Sequence, residues 1–99
     1  MKASFQNLNK VFESRIRLGI MSLLMVEDSI DFNALKDALQ VTDGNLASHL
    51  KSLEKENYLS LEKSFLGRKP NTVYRITKLG SLEFKKHIQA LEQLIKNHH

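Results

Sequence analysis

The sequence predicts an α+β fold, mainly α: a three-helix core, a two-stranded β-hairpin and a long final helix. Three observations predict it. Apolar residues recur at helical spacing in four separate stretches. Alternating apolar and polar residues lead up to the only proline, Pro70, with a β-branched and aromatic run beyond it. Residues able to cap helices, Asp31, Thr42 and Thr77, stand ahead of the last three helical stretches.

The first helix is expected over 8–26. Phe12, Ile16, Ile20, Leu23 and Leu24 form one apolar stripe, and Leu18, Met21 and Met25 form a second. A helix apolar on two sides needs two partners, its own core and a second subunit. Glu27-Asp28-Ser29 breaks the pattern, and Ile30 can add a short strand. Asp31 then caps a second helix from Phe32 to Leu39, where Phe32, Leu35 and Leu39 share a face. Gln40-Val41 is a short turn, and Thr42 caps a third helix that runs to Glu56 with Leu46, Leu50 and Leu53 as its buried stripe. Two short helices joined this tightly make a helix-turn-helix over 32–56.

The third helix stops at Asn57, a residue that tolerates the left-handed backbone of a helix end. Leu59, Leu61, Lys63 and Phe65 then alternate with Tyr58, Ser60, Glu62 and Ser64, which is a strand. A loop is expected over 66–71, followed by a second strand over 72–76, so that 58–77 forms a hairpin. Thr77 caps the last helix, expected over 78–97. Its residues Phe84, Ile88, Leu91 and Ile95 are four, three and four apart, the spacing of a coiled-coil seam. With Phe12 and Ile16 of the first helix they are the expected dimer interface. The terminal His98-His99 reads as a frayed end, native or added in cloning.

Composition narrows the function. A length of 99 residues suits one domain, 1–99, with a thin stability margin that dimerisation would improve. The absence of cysteine removes disulfides and thiolate metal sites and suits a reducing cytoplasm. Met1 to Asn7 lacks the apolar core of a secretory signal, and Leu18 to Val26 is too short to span a bilayer. A cytoplasmic protein with no membrane partner is expected. Net charge is +4, but its distribution says more. Between Glu27 and Glu62 acids dominate. Between Lys63 and Lys86, Lys63, Arg68, Lys69, Arg75, Lys78, Lys85 and Lys86 face only Glu83. Such a cluster suits phosphate, although a solvated lysine-rich face gives the same pattern, so charge alone leaves both readings open.

The order helix, short strand, helix, helix, hairpin, helix describes a winged helix-turn-helix. The residues carry a family resemblance as well. Thr42-Asp43-Gly44-Asn45-Leu46-Ala47-Ser48-His49-Leu50-Lys51-Ser52-Leu53-Glu54 resembles the recognition helix of MarR-like and ArsR-like bacterial repressors. Gly67-Arg68-Lys69-Pro70-Asn71-Thr72-Val73-Tyr74-Arg75-Ile76-Thr77-Lys78-Leu79-Gly80 is similar to the wing and wing exit of small stand-alone winged-helix regulators. The resemblance covers roughly Phe12 to Leu94. It departs at Asn57, where the family usually has glycine; asparagine can take the same backbone angles.

The resemblance implies a sequence-specific regulator bound to double-stranded DNA, a homodimeric repressor whose third helix enters the major groove. With Leu46, Leu50 and Leu53 facing the core, Asp43, Gly44, Asn45, Ala47, Ser48, Lys51 and Ser52 face outward. Asn45 can pair bidentately with adenine, and Asp43, which repels phosphate, can accept from a cytosine amine. Gly44 and Ala47 permit close approach. Ser48 and Lys51 reach phosphate or base, and Thr42 can hold a phosphate at the helix N-terminus. A plain solvent face would favour glutamate and lysine over such small polar residues. Arg68 and Lys69 at the hairpin tip, with Lys63 behind them, suit the minor groove, where A/T-rich tracts concentrate negative potential.

Other classes find less support. The resemblance places His49 as a half-buried packing residue within reach of phosphate. A metal role is disfavoured, because His49, His87, His98 and His99 lack ligand-like spacing. Ser48 and His49 are adjacent on a helix and point about 100° apart, so they form no nucleophile-base pair. No phosphate-binding glycine loop and no H-E-x-x-H is present. Neither an enzyme nor a cofactor is expected. Two alternatives remain: a winged helix used for protein interaction, and a regulator with an effector site at its dimer interface.

Overall fold

The computed structural model describes residues 5–96. A 3-10 turn, Lys10–Phe12, precedes α1 (Arg15–Val26) and β1 (Ile30–Asp31). The helix-turn-helix follows as α2 (Phe32–Leu39) and α3 (Asp43–Lys55). The hairpin is β2 (Leu59–Leu66) and β3 (Lys69–Ile76), and α4 (Lys78–Lys96) completes the chain. The expected winged helix-turn-helix of α+β class is the observed architecture. Asn97, His98 and His99, to which sequence reasoning gave the end of the last helix and a frayed tail, lie outside the described residues.

The caps fall where side-chain chemistry places them. Asp31 accepts from the Ala34 amide at 2.8 Å, and Thr42 accepts from the Asn45 amide at 3.2 Å. Helix α2 ends on Gln40 at φ 54°, and Asn57, just past α3, takes φ 64°. Both are left-handed, which lets the chain reverse without a further helical turn.

The first helix begins later than its apolar stripe suggests. Asn9 accepts from the Val11 amide at 2.9 Å, and Ser14 accepts from the Arg17 amide at 3.3 Å. These two side-chain caps interrupt a helix that periodicity alone would start at Leu8. The break turns Phe12 inward. Phe12 is fully buried and packs on Tyr58, Phe84 and His87 with ring centroids 5.2–5.3 Å apart. The second stripe of α1 is also partly internal, because Met21 is fully buried and Leu18 and Met25 pack against the core.

One continuous apolar cluster joins all the helices to the hairpin base: Phe12, Ile20, Met21, Leu24, Leu35, Leu46, Leu50, Leu53, Tyr58, Leu59, Tyr74 and Phe84. The sheet has order β1-β3-β2 and is antiparallel throughout. The pairing of β2 with β3 runs unbroken from Leu59 opposite Ile76 to Leu66 opposite Lys69. The expected six-residue loop is therefore a two-residue turn, Gly67-Arg68. Gly67 takes φ +65° while Arg68 does not, the II′ pattern with glycine at its first central position. Pro70 stands in a strand, against expectation. It is the second residue after the turn, a non-hydrogen-bonded position of the ladder with β2, and β1 reaches only Val73 and Tyr74 on its other side. Its missing N–H costs no ladder bond.

The chain leaving α3 is knotted to the start of α4. The Thr77 amide donates to the Tyr58 carbonyl at 3.0 Å, and the Thr77 hydroxyl donates to the Asn57 carbonyl at 2.7 Å. That hydroxyl also accepts from the Gly80 amide at 2.9 Å. Gly80 lies so close to Tyr58 that a Cβ would collide with the Tyr58 backbone. Among the described residues, no helix is long and apolar enough to cross a membrane.

Candidate nucleic-acid interface

Helix α3 buries Leu46, Leu50 and Leu53, and that stripe fixes what its other side presents. Thr42, Asp43, Gly44, Asn45, Ala47, Ser48 and Lys51 are exposed, while His49 and Ser52 are half-buried. The Ser52 hydroxyl donates to the Ser48 carbonyl at 3.2 Å and adds no free donor to the surface. Gly44 has open space around it, with no atom within 4 Å of where a Cβ would stand. Its value there is a low profile, not an internal contact.

Two residues of the helix have partners that local sequence does not reveal. Asp43 pairs with Lys36 of α2 at 2.8 Å, so its carboxylate is held toward the neighbouring helix. The Nε of Arg17 donates to Nδ1 of His49 at 3.0 Å, and its Nη1 donates to the Val11 carbonyl at 3.0 Å. Burial, and then the Arg17 charge, push the His49 imidazole below its ordinary pKa. With Nδ1 an acceptor, the neutral ring carries its proton on Nε2. Among the described residues Nε2 has no protein partner, yet it is not a buried unpartnered atom, so it faces solvent as a neutral donor. Arg17 and Lys36 were missed as functional residues because they lie on other helices. The one available signal was an arginine set between the two apolar stripes of α1.

Lys63, Arg68 and Lys69 are all exposed on the hairpin, which runs past the body of the molecule. Cross-strand register places Lys63 opposite Thr72 and Phe65 opposite Pro70 on one face. The site thus has two parts, a small polar helix face and a projecting basic tip.

The expected dimer residues are divided by the structure. Phe12 and Phe84 are buried in the core of the single chain, at 0% and 5% exposure, which corrects their assignment to a partner surface. Ile16 is half-buried in a cleft with Leu39 and Val41 beside the start of α3. Ile88 and Ile95 of α4 are exposed, and Leu91 is half-buried. A four-three-four spacing says which residues share a helix face, not what covers it.

A model of the winged helix DNA-binding domain matches residues 16–95, four fifths of the sequence. The chain belongs to the winged helix DNA-binding domain family. An uncharacterised protein of Methanocaldococcus jannaschii is 40% identical over 88 residues, spanning 89% of this chain and 96% of its own. A transcriptional regulator homologue from Pyrococcus horikoshii superposes with a TM-score of 0.78 at 32% identity, covering 93% of this chain and 96% of that one. The YusO protein of Bacillus subtilis superposes with a TM-score of 0.72 at 12% identity, over 86% of this chain and 60% of its own, a likeness of fold alone. Within this family's architecture, α3 is the second helix of the helix-turn-helix and β2–β3 is the wing.

Proposed function

We propose that this winged helix is a sequence-specific regulator of transcription that binds double-stranded DNA as a homodimer and acts as a repressor of the MarR-like and ArsR-like type. The observation that carries the reading is the pairing of an exposed, small and polar recognition face with a projecting basic wing tip. Asn45 reads adenine in the major groove, and Gly44 and Ala47 let the helix approach. Ser48, Lys51, Thr42 and the Nε2 of His49 meet phosphates or base edges. Lys63, Arg68 and Lys69 supply most of the electrostatic attraction. The Asp43–Lys36 pair keeps the acid off the backbone phosphates and leaves the recognition face neither acidic nor apolar. That weighs against a protein-interaction role. The same reading includes a cytoplasmic location, beside the DNA it would bind.

Support for the dimer comes from α4, whose Ile88 and Ile95 are exposed among the described residues, and from an apolar groove where α1 meets α4. That groove, about 420 Å3, is lined by Ser22, Met25, Phe84, Lys85, Ile88 and Gln89. It also favours a second reading, an effector site at the dimer interface, tested by titrating small aromatic compounds against DNA binding.

Selection of bound sequences from random duplex DNA tests the main reading. A (pseudo)palindrome with half-sites about one helical turn apart is expected. Arg68→Ala with Lys69→Ala should weaken binding to every sequence and reduce the log–log salt slope by about 1.8, at roughly 0.9 per phosphate contact. Asn45→Ala should weaken the preferred site selectively. A double wing variant that binds as well as the wild type would refute the wing assignment.

A further inference from the structure

The wing carries a face that none of the described residues covers. Leu59 and Leu61 with Ile76 and Tyr74 form the side of the hairpin that meets the core. The same side continues beyond the body as Lys63 with Thr72, then Phe65 with Pro70. Phe65 is 70% exposed at the end of it. A large aromatic ring held this far out on a two-stranded arm gains little from the fold, so its use lies in a partner.

The neighbours of Phe65 select that partner. From Lys63 to Pro70 the chain has three cations, Lys63, Arg68 and Lys69, and no acid. A complementary surface must have an anionic rim and an apolar interior. The minor groove of a duplex has both, with phosphates along its edges and deoxyribose on its walls. It is about 6 Å wide, too narrow for a two-stranded ribbon but open to single side chains that reach in from a tip closed by a two-residue turn. The base of this face packs against α1, α2 and α3, so the overhang lies on the helix side of the sheet, the side that holds α3.

We infer that Phe65 is an apolar wedge for the minor groove: flanked by Lys63 and Arg68, it presses between adjacent sugars, opens a base step and bends the duplex. The inference rests on the DNA-binding reading and adds deformability to how the site is chosen. Flexible pyrimidine–purine steps under the wing are favoured at positions that no side chain reads by hydrogen bonding.

The test uses the full chain and a duplex of about 30 base pairs carrying the selected site, labelled at its ends for energy transfer. Wild-type protein should bring the ends closer. Phe65→Ser should abolish the bend and lower affinity about tenfold, as loss of one buried aromatic contact implies. Its salt slope should match the wild type, because no charge is lost. Phe65→Leu should keep most of the bend, since leucine also serves as a wedge. At 70% exposure Phe65 carries little of the fold, so the variants should melt with the wild type. If Phe65→Ser binds and bends DNA like the wild type, the wedge is wrong and DNA binding stands. If Phe65→Ser lowers the mass of the free protein in solution, the ring is a protein contact and the wedge is wrong. If the wild type shows no salt-dependent DNA binding at all, both readings fall.

Discussion

His87 is an imidazole held neutral by its surroundings. It is 3% exposed, its Nδ1 accepts from the Asn9 amide at 2.9 Å, and its ring packs on Phe12. Burial lowers its pKa, partly opposed by the charge of Glu13. The unfolded chain takes up the His87 proton near pH 6.5 as pH falls, about its ordinary value, while the folded chain resists. The unfolded state then binds more protons, so stability falls from about pH 6.5 downward and levels off below the folded pKa. His49 adds to this in the same direction. Melting temperature followed from neutral to mildly acid pH should show the decline, and His87→Gln should flatten it. An equal slope in the variant would remove His87 as its source. Arg17→Ala should raise the His49 pKa, read by NMR titration of the ring, because a neighbouring positive charge is removed. Neither histidine's role was legible beforehand. Sequence alone supplied four histidines without metal spacing. The Asn9–His87 and Arg17–His49 contacts join residues 78 and 32 positions apart, and no local rule brings such pairs together.

Local chemistry made the elements more legible than their contacts. Asp31, Thr42 and Thr77 cap helices by bonding amides three residues on, so their roles could be read in place. The outward face of α3 followed from the spacing of Leu46, Leu50 and Leu53. The start of α1 did not follow, because Asn9 and Ser14 compete with a helix that the apolar pattern supports. The wing turn was overestimated because Pro70 reads as a loop residue unless its ladder position is known. Gly80 was legible only as part of a family-like stretch, and the structure supplies its physical reason. Gly80→Ala drives a methyl group into the Tyr58 backbone, which cannot yield as a side chain end can. A loss of about 1–3 kcal/mol, typical of overpacking, is expected in urea unfolding. Gly44→Ala should behave oppositely. Its site is open, so stability should rise by up to about 1 kcal/mol while affinity for the selected site falls.

The whole molecule is long for its size. Its extents are 59 × 25 × 21 Å and its radius of gyration is 15.2 Å, against about 13 Å for a compact chain of this length. The wing and the 19-residue α4 account for its shape. Charge is divided along it, with acids concentrated from Glu27 to Glu62 and cations from Lys63 to Lys86, and on the proposed reading this assigns base reading and attraction to different parts. That division was visible in the sequence. The use of the apolar residues of α4 was not, because Phe84 serves the chain's own core and Ile95 serves none of it. Ile95→Glu, with Ile88→Glu, should leave a folded monomer by light scattering and reduce affinity for a full operator far more than for one half-site.

The Asn57–Thr77 knot makes a crankshaft of α4. The helix is about 28 Å long at 1.5 Å per residue, and its near end is fastened to the exit of α3 by two hydrogen bonds and the Gly80 contact. A tilt of about 5° would swing its far end by roughly 2.5 Å over that length. In an assembly joined through α4, the same tilt would turn both reading heads at once. On the proposed reading, the spacing of the half-sites would be a property of the angle at residue 77, set well away from the bases that α3 would read.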